Sequence, residues 1–465
     1  MNRRDFLSSP LWACSLAVAK PASPQPNVLF IFVDDLGYGD LGVTGNKDVP
    51  TPHMDSLARD GILFTQFYVA SPICSPSRTA IITGQFPSRH LIHSYLNDRK
   101  SNRDLGMRDW LDSAAPSVAR SFQSAGYATG HFGKWHLGGG RDVGDAPLPQ
   151  AYGFDESVTS FEGLGDRILI DGDGLSKQSA ALGRGKIEWA PKHKLTELYV
   201  DHTVDFIRRN RQKPFYLHLW PCDVHDGHIP RQDLMERYAR FSANPYQQRF
   251  YAVLDELDKQ MGRLFKALEE AGVADNTIVA LTGDNGPTAW PRYYKEGFEP
   301  PGSTAGLRGR KWSLYEGGIR EPLLVRWKNS IPAGKVDKST VVGAVDLFPT
   351  FCSMAGVKPP SVMFDGQDMS GAFRGKPIRR SKPLIWDYDR GGNYPRPGKP
   401  DDVSPNLAIR DGRWKLLIND DGSKAELYDF KQSDKERQNV AAKYPAVVKR
   451  LSNHVLQWRK ALPKL

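Results

Sequence analysis

Cys74, Pro76 and Arg78 follow one another in C-x-P-x-R order, ahead of Thr83-Gly84. Proline suits a helix's first turn, whose N–H groups are unpaired in any case, and glycine suits the exit. The spacing therefore predicts a helix over 74–83 with Cys74 at its N-terminus, where backbone N–H groups favour an anion. Arg78, four residues on, lies over the same face. A second set of residues comes in pairs, since Asp34-Asp35 and Asp284-Asn285 each end an apolar run. Either pair alone could be a turn or a helix cap. Together they are four hard oxygen donors, three of them carboxylates, and a divalent cation is the least costly way to neutralise them when buried. An all-oxygen set favours calcium over magnesium.

The elements that must carry these residues are legible as alternating strands and helices. Val28 to Val33 ends at Asp34-Asp35, Thr277 to Thr282 ends at Gly283-Asp284-Asn285-Gly286, and Phe215 to Trp220 leads towards His225. Apolar runs ending in polar groups are the pattern of a parallel sheet with its site at the strand C-termini. Tyr251, Leu254, Leu257, Met261, Leu264 and Leu268 mark one face of a long helix stopping at Gly272, and Pro116 to Ala125 reads as a shorter one before Gly126. This predicts an α/β fold, with one catalytic domain over 26–375. Beyond it, Leu407 to Arg410 and Arg413 to Ile418 flank Asp411-Gly412, a hairpin turn signal, and Ala425 to Phe430 adds a strand before a closing helix. A small antiparallel subdomain over 376–465 is expected, set off by the Gly/Pro-rich stretch Asp387 to Pro405. That stretch, Gly138 to Gln150, Asp171 to Lys194 and Pro287 to Arg310 are poorly periodic and are expected to be loops walling the site. The last of these carries Trp290, Tyr293, Tyr294 and Phe298, able to stack on sugar rings or to pin the loop to the core.

The 63 Lys and Arg against 53 Asp and Glu give a net charge of +10, which suits an anionic substrate. No basic block is long enough to be a nucleic-acid tail, so no nucleic-acid partner is expected. Arg3-Arg4-Asp5-Phe6-Leu7 and the apolar stretch Leu11 to Ala19 read as a twin-arginine-like signal peptide over 1–19, predicting export to the periplasm or outside the cell. Leu11-Trp12-Ala13-Cys14 is a poorer match to a lipoprotein box. No later segment has the roughly 20 apolar residues needed to span a bilayer. With Cys14 in the leader, Cys222 and Cys352 remain beside Cys74, and free buried thiols are expected, there being no C-x-x-C.

The run Ser71 to Gly84 resembles the signature of the formylglycine-dependent (type I) sulfatases of the alkaline-phosphatase-like superfamily. The likeness extends over almost the whole chain from Asn27, including Val345 to Thr350 and Arg413-Trp414-Lys415. It implies a large α/β domain with a central, mostly parallel sheet between helices, plus a small C-terminal antiparallel sheet and helix, hydrolysing sulfate esters. Cys74 is then the residue that a formylglycine-generating enzyme oxidises to an aldehyde, which hydrates to a geminal diol, and it joins Asp34, Asp35, Asp284 and Asn285 around one calcium ion. Gly133 to Gly138 resembles the family's second signature, making Lys134 a sulfate contact and His136 the residue serving the formylglycine. Arg308 to Lys311 with Tyr315 to Pro322 resembles a third segment, making Lys311 the sulfate and leaving-group lysine. A further histidine is expected after the Phe215 strand. His225 fits by distance, while Asp226-Gly227 breaks the usual pattern and leaves His228 as its rival.

The implied mechanism has the cation, both lysines and a histidine drawing charge from the sulfate while one diol hydroxyl attacks sulfur, with Asp284 as base. Lys311 or His225 protonates the departing alcohol, and His136 takes the second hydroxyl proton as sulfate leaves by C–O cleavage. Arg78 steadies the diol and the carboxylates. The export signal, positive charge and aromatic loops point to a sulfated carbohydrate, a polysaccharide or glycosaminoglycan fragment. The competing readings are a phosphonate monoester or phosphodiester hydrolase of the same superfamily and an inactive pseudo-sulfatase that binds sulfated glycans.

Overall fold

The structure, a computed structural model, describes residues 25–465. The expected signal segment, with Cys14, lies outside the described residues. Three strands at the centre of the main sheet, Thr277–Gly283, Asn27–Val33 and Phe215–Trp220, are parallel neighbours in that order. Ala128–Gly133, Glu156–Thr159, Arg167–Ile170 and Ile187–Ala190 extend the sheet in parallel on one side. On the other side Arg320–Arg326 runs antiparallel between Thr277–Gly283 and Ile62–Tyr68, which also pairs in parallel with Lys335–Asp337 and Val342–Gly343. The result is the mostly parallel α/β sheet expected from the sequence.

Period-two alternation sends the central strands into two cores. Val28, Phe30 and Phe32 face one side, with the Cys74–Thr83, Val118–Ser124 and Leu347–Ala355 helices. Leu29, Ile31 and Val33 face the other, against the helices Leu195–Asn210 and Pro245–Glu270. The Pro245–Glu270 helix is the long one read from its Tyr251 to Leu268 stripe, with Gly272 in the left-handed region at φ +73° just beyond it.

A separate antiparallel sheet orders Leu384–Asp387, Leu407–Asp411, Trp414–Ile418 and Glu426–Asp429, followed by the helix Pro445–Lys460. Its side chains Trp386, Ile409, Leu416 and Leu427 belong to the first of the two cores, so the small sheet packs into the large one's interior. Two details differ from expectation. Asp411 pairs with Trp414, which moves the turn to Gly412 and Arg413, with Gly412 at φ +58°. The segments from Asp171 to Lys194 and from Pro287 to Arg310, expected to be loops, contain regular elements: the helix Gly174–Ala181 and the edge strand Ile187–Ala190 in the first, the short helix Pro291–Lys295 in the second.

Candidate active site

Four adjacent parallel strands present their C-terminal ends together, and polar residues of the site follow each of them. Val33 is followed by Asp34-Asp35, Gly283 by Asp284-Asn285, Gly133 by Lys134 and His136, and Trp220 by the segment that carries His225. Backbone bonds lock the handover: Asp34 N–H donates to the Pro221 carbonyl at 3.0 Å, Asp284 N–H to Val33 at 3.0 Å and Lys134 N–H to Trp220 at 2.9 Å. Cys74 is the first residue of the helix Cys74–Thr83. That helix is buried along its length and ends at Gly84, φ +66°, where a Cβ would stand 2.6 Å from the Phe364 ring. Only glycine meets both demands.

Three carboxylates and three cations share this floor. Lys134 Nζ donates to Asp34 at 2.5 Å and Lys311 Nζ to Asp35 at 2.5 Å, while Arg78 donates to Asp284 at 2.8 Å and stands 3.5 Å from Asp34. Burial pushes the Asp34 carboxyl up, but Lys134, His225, Arg78 and Lys311 together outweigh it and hold Asp34 well below the usual range. For Asp284 the balance goes the other way: burial and the like charge of Asp34 prevail over Arg78 and push it up to about 8. Asp35 is raised by burial against the pull of Lys311. Arg78, Lys134 and Lys311 stand against these three carboxylates, so charge balance alone does not require a metal here.

A stronger indication of a cation lies in the oxygens. Asp34 Oδ1, Asp35 Oδ2 and Asn285 Oδ1 are buried without a hydrogen-bond partner among the described residues. The three carboxylates offer oxygens within 4.8 Å of one another, and Asp34, Cys74 and His225 meet the same condition. Buried hard oxygens without hydrogen-bond partners fit a divalent cation. Asn285 is oriented for this, its Nδ2 donating to Asp35 at 2.7 Å and to the Gly286 carbonyl at 2.9 Å, which leaves Oδ1 free.

The histidines divide. His225 Nε2 lies 3.9 Å from Asp35, and its Nδ1 donates to the Asp226 carbonyl at 2.7 Å. Burial first, then Lys311, holds its pKa well below the ordinary value, so the ring is neutral. His228 bonds the Val224 carbonyl at 2.9 Å and packs edge-on against Phe250. Of the two rivals, His225 is thus the one brought to the carboxylates. His136 has a left-handed backbone, φ +51°, uncommon for a non-glycine residue, and its N–H donates to Phe161 at 3.1 Å. Burial, Lys134 and Arg78 keep its ring neutral as well.

All six expected catalytic residues are in or against one site. Cys74, Lys134, His136, His225 and Lys311 line a cavity of about 880 Å³, and Arg78 is packed fully buried behind it. Each of the four long segments contributes to its wall, through Arg141, Asp171, Trp290 and Pro395 among others. The aromatics of the third segment separate. Trp290 is 41% exposed on the cavity, Tyr293 is fully buried with its hydroxyl on Asp226, and Tyr294 lies away from the lining with its ring against Gly398. Lys192 went unread in the sequence; its Nζ donates to the His225 and Gly227 carbonyls at 2.9 Å each and so braces the histidine segment. Cys222 and Cys352 are free and buried.

The sulfatase family model matches residues 26–357, and a model of the N-sulphoglucosamine sulphohydrolase C-terminal region matches 309–461. Human arylsulfatase A is 32% identical over 433 residues, covering 88% of this chain and 77% of the human protein. Rat N-acetylgalactosamine-6-sulfatase is 33% identical over 380 residues, 79% of this chain and 69% of the relative. The crystal structure of Ps i-CgsB in complex with k-i-k-neocarrahexaose superimposes with a TM-score of 0.76 at 27% identity, covering 93% of this chain and 92% of that one. The phosphonate monoester hydrolase of Agrobacterium radiobacter shares the fold at 18% identity and a TM-score of 0.62, over 94% and 96% of the two chains. Joined to the Cys74 turn, the paired lysines and the carboxylate floor, the extent of these matches means that the chain belongs to the sulfatase family of the alkaline-phosphatase-like superfamily and is a sulfuric ester hydrolase.

Proposed function

We propose that the protein is an exported sulfatase that removes sulfate from carbohydrates through a formylglycine made from Cys74, with calcium held by Asp34, Asp35, Asp284, Asn285 and the modified Cys74. Residues 26–375 form its catalytic unit and 376–465 its appended subdomain. The observation that carries the reading is the convergence of Lys134, Lys311, His136 and His225 on Cys74 above a floor of unpaired hard oxygens. As a thiol, Cys74 is a poor nucleophile: burial raises its pKa against the pull of Lys134 and Lys311, the reverse of what activates a cysteine. A hydrated aldehyde there supplies a hydroxyl nucleophile and a second hydroxyl through which sulfate can later be expelled. Calcium, when bound, supplies Lewis-acid polarisation of a sulfate oxygen.

The chain's own residues supply the rest. Lys134 and Lys311 meet the remaining sulfate oxygens, leaving their carboxylate partners to do so. Asp284, a carboxylate once calcium is bound, accepts the proton of the attacking hydroxyl. Lys311 or His225 protonates the departing alcohol, His136 accepts the proton that accompanies sulfate release, and Arg78 fixes Asp284 and Asp34 throughout. Carbohydrate as substrate is supported by the relatives: one acts on N-acetylgalactosamine 6-sulfate by its name, and one neighbour is solved with a neocarrahexaose. Exposed Trp290 on the cavity wall offers a face for a sugar ring.

Turnover of a panel of sulfated galactose, fucose, glucosamine and galactosamine, beside an aryl sulfate and a phosphonate ester, tests the reading. A carbohydrate sulfate should be the preferred substrate, and a phosphonate ester turned over faster than every sulfate contradicts it. Trp290→Ala should lower kcat/KM on the preferred sulfated oligosaccharide about tenfold and leave the aryl sulfate nearly unchanged, because stacking energy gained on a remote ring is used at the sulfate.

Lys311→Ala should slow leaving-group departure, and an activated aryl sulfate, whose phenolate needs no proton, should partly rescue it. His136→Ala should slow sulfate release, and the same aryl sulfate should not rescue it. Equal behaviour of the two variants contradicts this division of labour.

Calcium affinity should depend on pH. With Asp284 at about 8 in the metal-free protein, calcium binding below that pH requires loss of a proton. Affinity should therefore rise with pH, by about tenfold per unit, and level off above about pH 8. Calcium titrations at several pH values check the slope.

A further inference from the structure

Ser75, the first of the two variable positions of the C-x-P-x-R turn, is fully buried and has no part in the chemistry of the proposed function. Its Oγ accepts a hydrogen bond from Leu96 N–H at 3.0 Å, and the Leu96 carbonyl lies 3.1 Å from His136 Nε2. A carbonyl oxygen only accepts, so Nε2 carries the proton. A neutral imidazole has a single N–H, and Nδ1 is accordingly a bare lone pair. Nδ1 is buried with no hydrogen-bond partner among the described residues, and His136 lines the same cavity as Cys74. Phe161 and Tyr95 make edge-type contacts with the ring, and among the described residues the Leu96 carbonyl is its one hydrogen-bond partner, the contact that selects its tautomer.

We propose that Ser75 is a positioning residue for sulfate release, holding His136 through Leu96 as the Nε2–H tautomer with Nδ1 as the proton acceptor. The inference rests on the role given to His136 in the proposed function. In the release step the remaining hydroxyl proton passes to Nδ1, the O–H electron pair forms the aldehyde carbonyl, and the C–O bond to sulfate breaks with its electrons leaving on sulfate. Cys74 and Ser75 are the first two residues of one helix, so the nucleophile and the tether of its base move as one body. A displacement of the base by even a fraction of a bond length is costly at such a step.

Ser75→Ala removes the acceptor and leaves the buried Leu96 N–H unpaired. The adjoining backbone keeps an independent anchor, Asn97 N–H on Asn102 Oδ1 at 2.9 Å, so the effect is confined to Leu96 and the ring it orients. Ser75→Thr retains the hydroxyl and serves as the rescue.

Three measurements test the proposal, with kinetics normalised to the aldehyde content of each preparation, because Ser75 lies inside the modified motif. Hydrogen exchange of the Leu96 amide, measurable on unmodified protein, should be faster by about tenfold or more in Ser75→Ala, as for an amide that has lost its partner, and slow again in Ser75→Thr. ¹⁵N spectra of labelled histidine should show His136 as the Nε2–H form in the wild type and mixed tautomers in Ser75→Ala. With an aryl sulfate, Ser75→Ala should give a burst of phenol followed by steady turnover slowed about 10- to 100-fold. An unchanged Leu96 amide or His136 tautomer in Ser75→Ala overturns the tether whatever the enzyme's substrate. Changed amide and tautomer without a burst overturns the role of His136 in release and leaves the tether standing. Failure of Ser75→Thr to restore either also overturns the proposal.

Discussion

Cys74→Ser, produced with a modifying enzyme specific for cysteine, should release at most one equivalent of alcohol and then stop, with steady-state kcat reduced by about 10³-fold or more. A serine hydroxyl above the same lysines can still attack sulfur, so the capture half of the reaction survives in weakened form. The product is a serine sulfate, whose carbon has no second hydroxyl, and His136 has no proton to take that would expel the sulfate. Cys74 is 3% exposed at the start of a buried helix, and exchanging sulfur for oxygen changes little volume, so the melting temperature should stay close to the wild type. Stoichiometric alcohol release measured by rapid quench, with the melting curve as control, checks this. Multiple turnovers from an unmodified serine contradict it.

Asp284→Ala should remove both calcium and activity, the latter by on the order of 10³-fold, the several kcal/mol a Lewis acid supplies to a charged transition state. Asp284 holds Arg78 at 2.8 Å and accepts the Asp35 N–H at 3.1 Å, so it orders the floor as well as contributing to it. Asp284→Asn keeps the shape and the acceptor oxygen and separates the two effects. It should fold as the wild type does while still binding calcium poorly, because a carboxylate charge is gone. Elemental analysis showing a full calcium complement in Asp284→Ala is the result that contradicts the ligand assignment.

Much of this site could be read in advance because strand ends and polar pairs coincide in the sequence. Asp34-Asp35, Asp284-Asn285 and the Cys74 turn stand out by spacing, and the fold brings them to one floor. What escaped were parts without a side-chain signature. The Leu96 carbonyl that meets His136 is a backbone atom, which any residue type provides. Lys192 acts through two carbonyls and sits in a segment with no apolar period, where a lysine reads as solvated charge. The strand Leu384–Asp387 is four residues long and directly precedes the Gly/Pro-rich stretch, too short for alternation to register. Trp290 and Tyr294 have the same composition signal, and only their packing, one on the cavity and the other on Gly398, tells them apart. Three buried carboxylates in the sequence imply a need for neutralising charge. Arg78, Lys134 and Lys311 answer that need by themselves, and the unpaired oxygens are what remain to argue for the ion.

The proposed nucleophile is made from Cys74 after translation. Mass spectrometry of the Cys74 peptide from active protein, produced alongside a formylglycine-generating enzyme, tests it most directly. An aldehyde is expected at Cys74, with specific activity proportional to the aldehyde fraction across preparations. Full activity from protein whose Cys74 is entirely an unmodified thiol would contradict it.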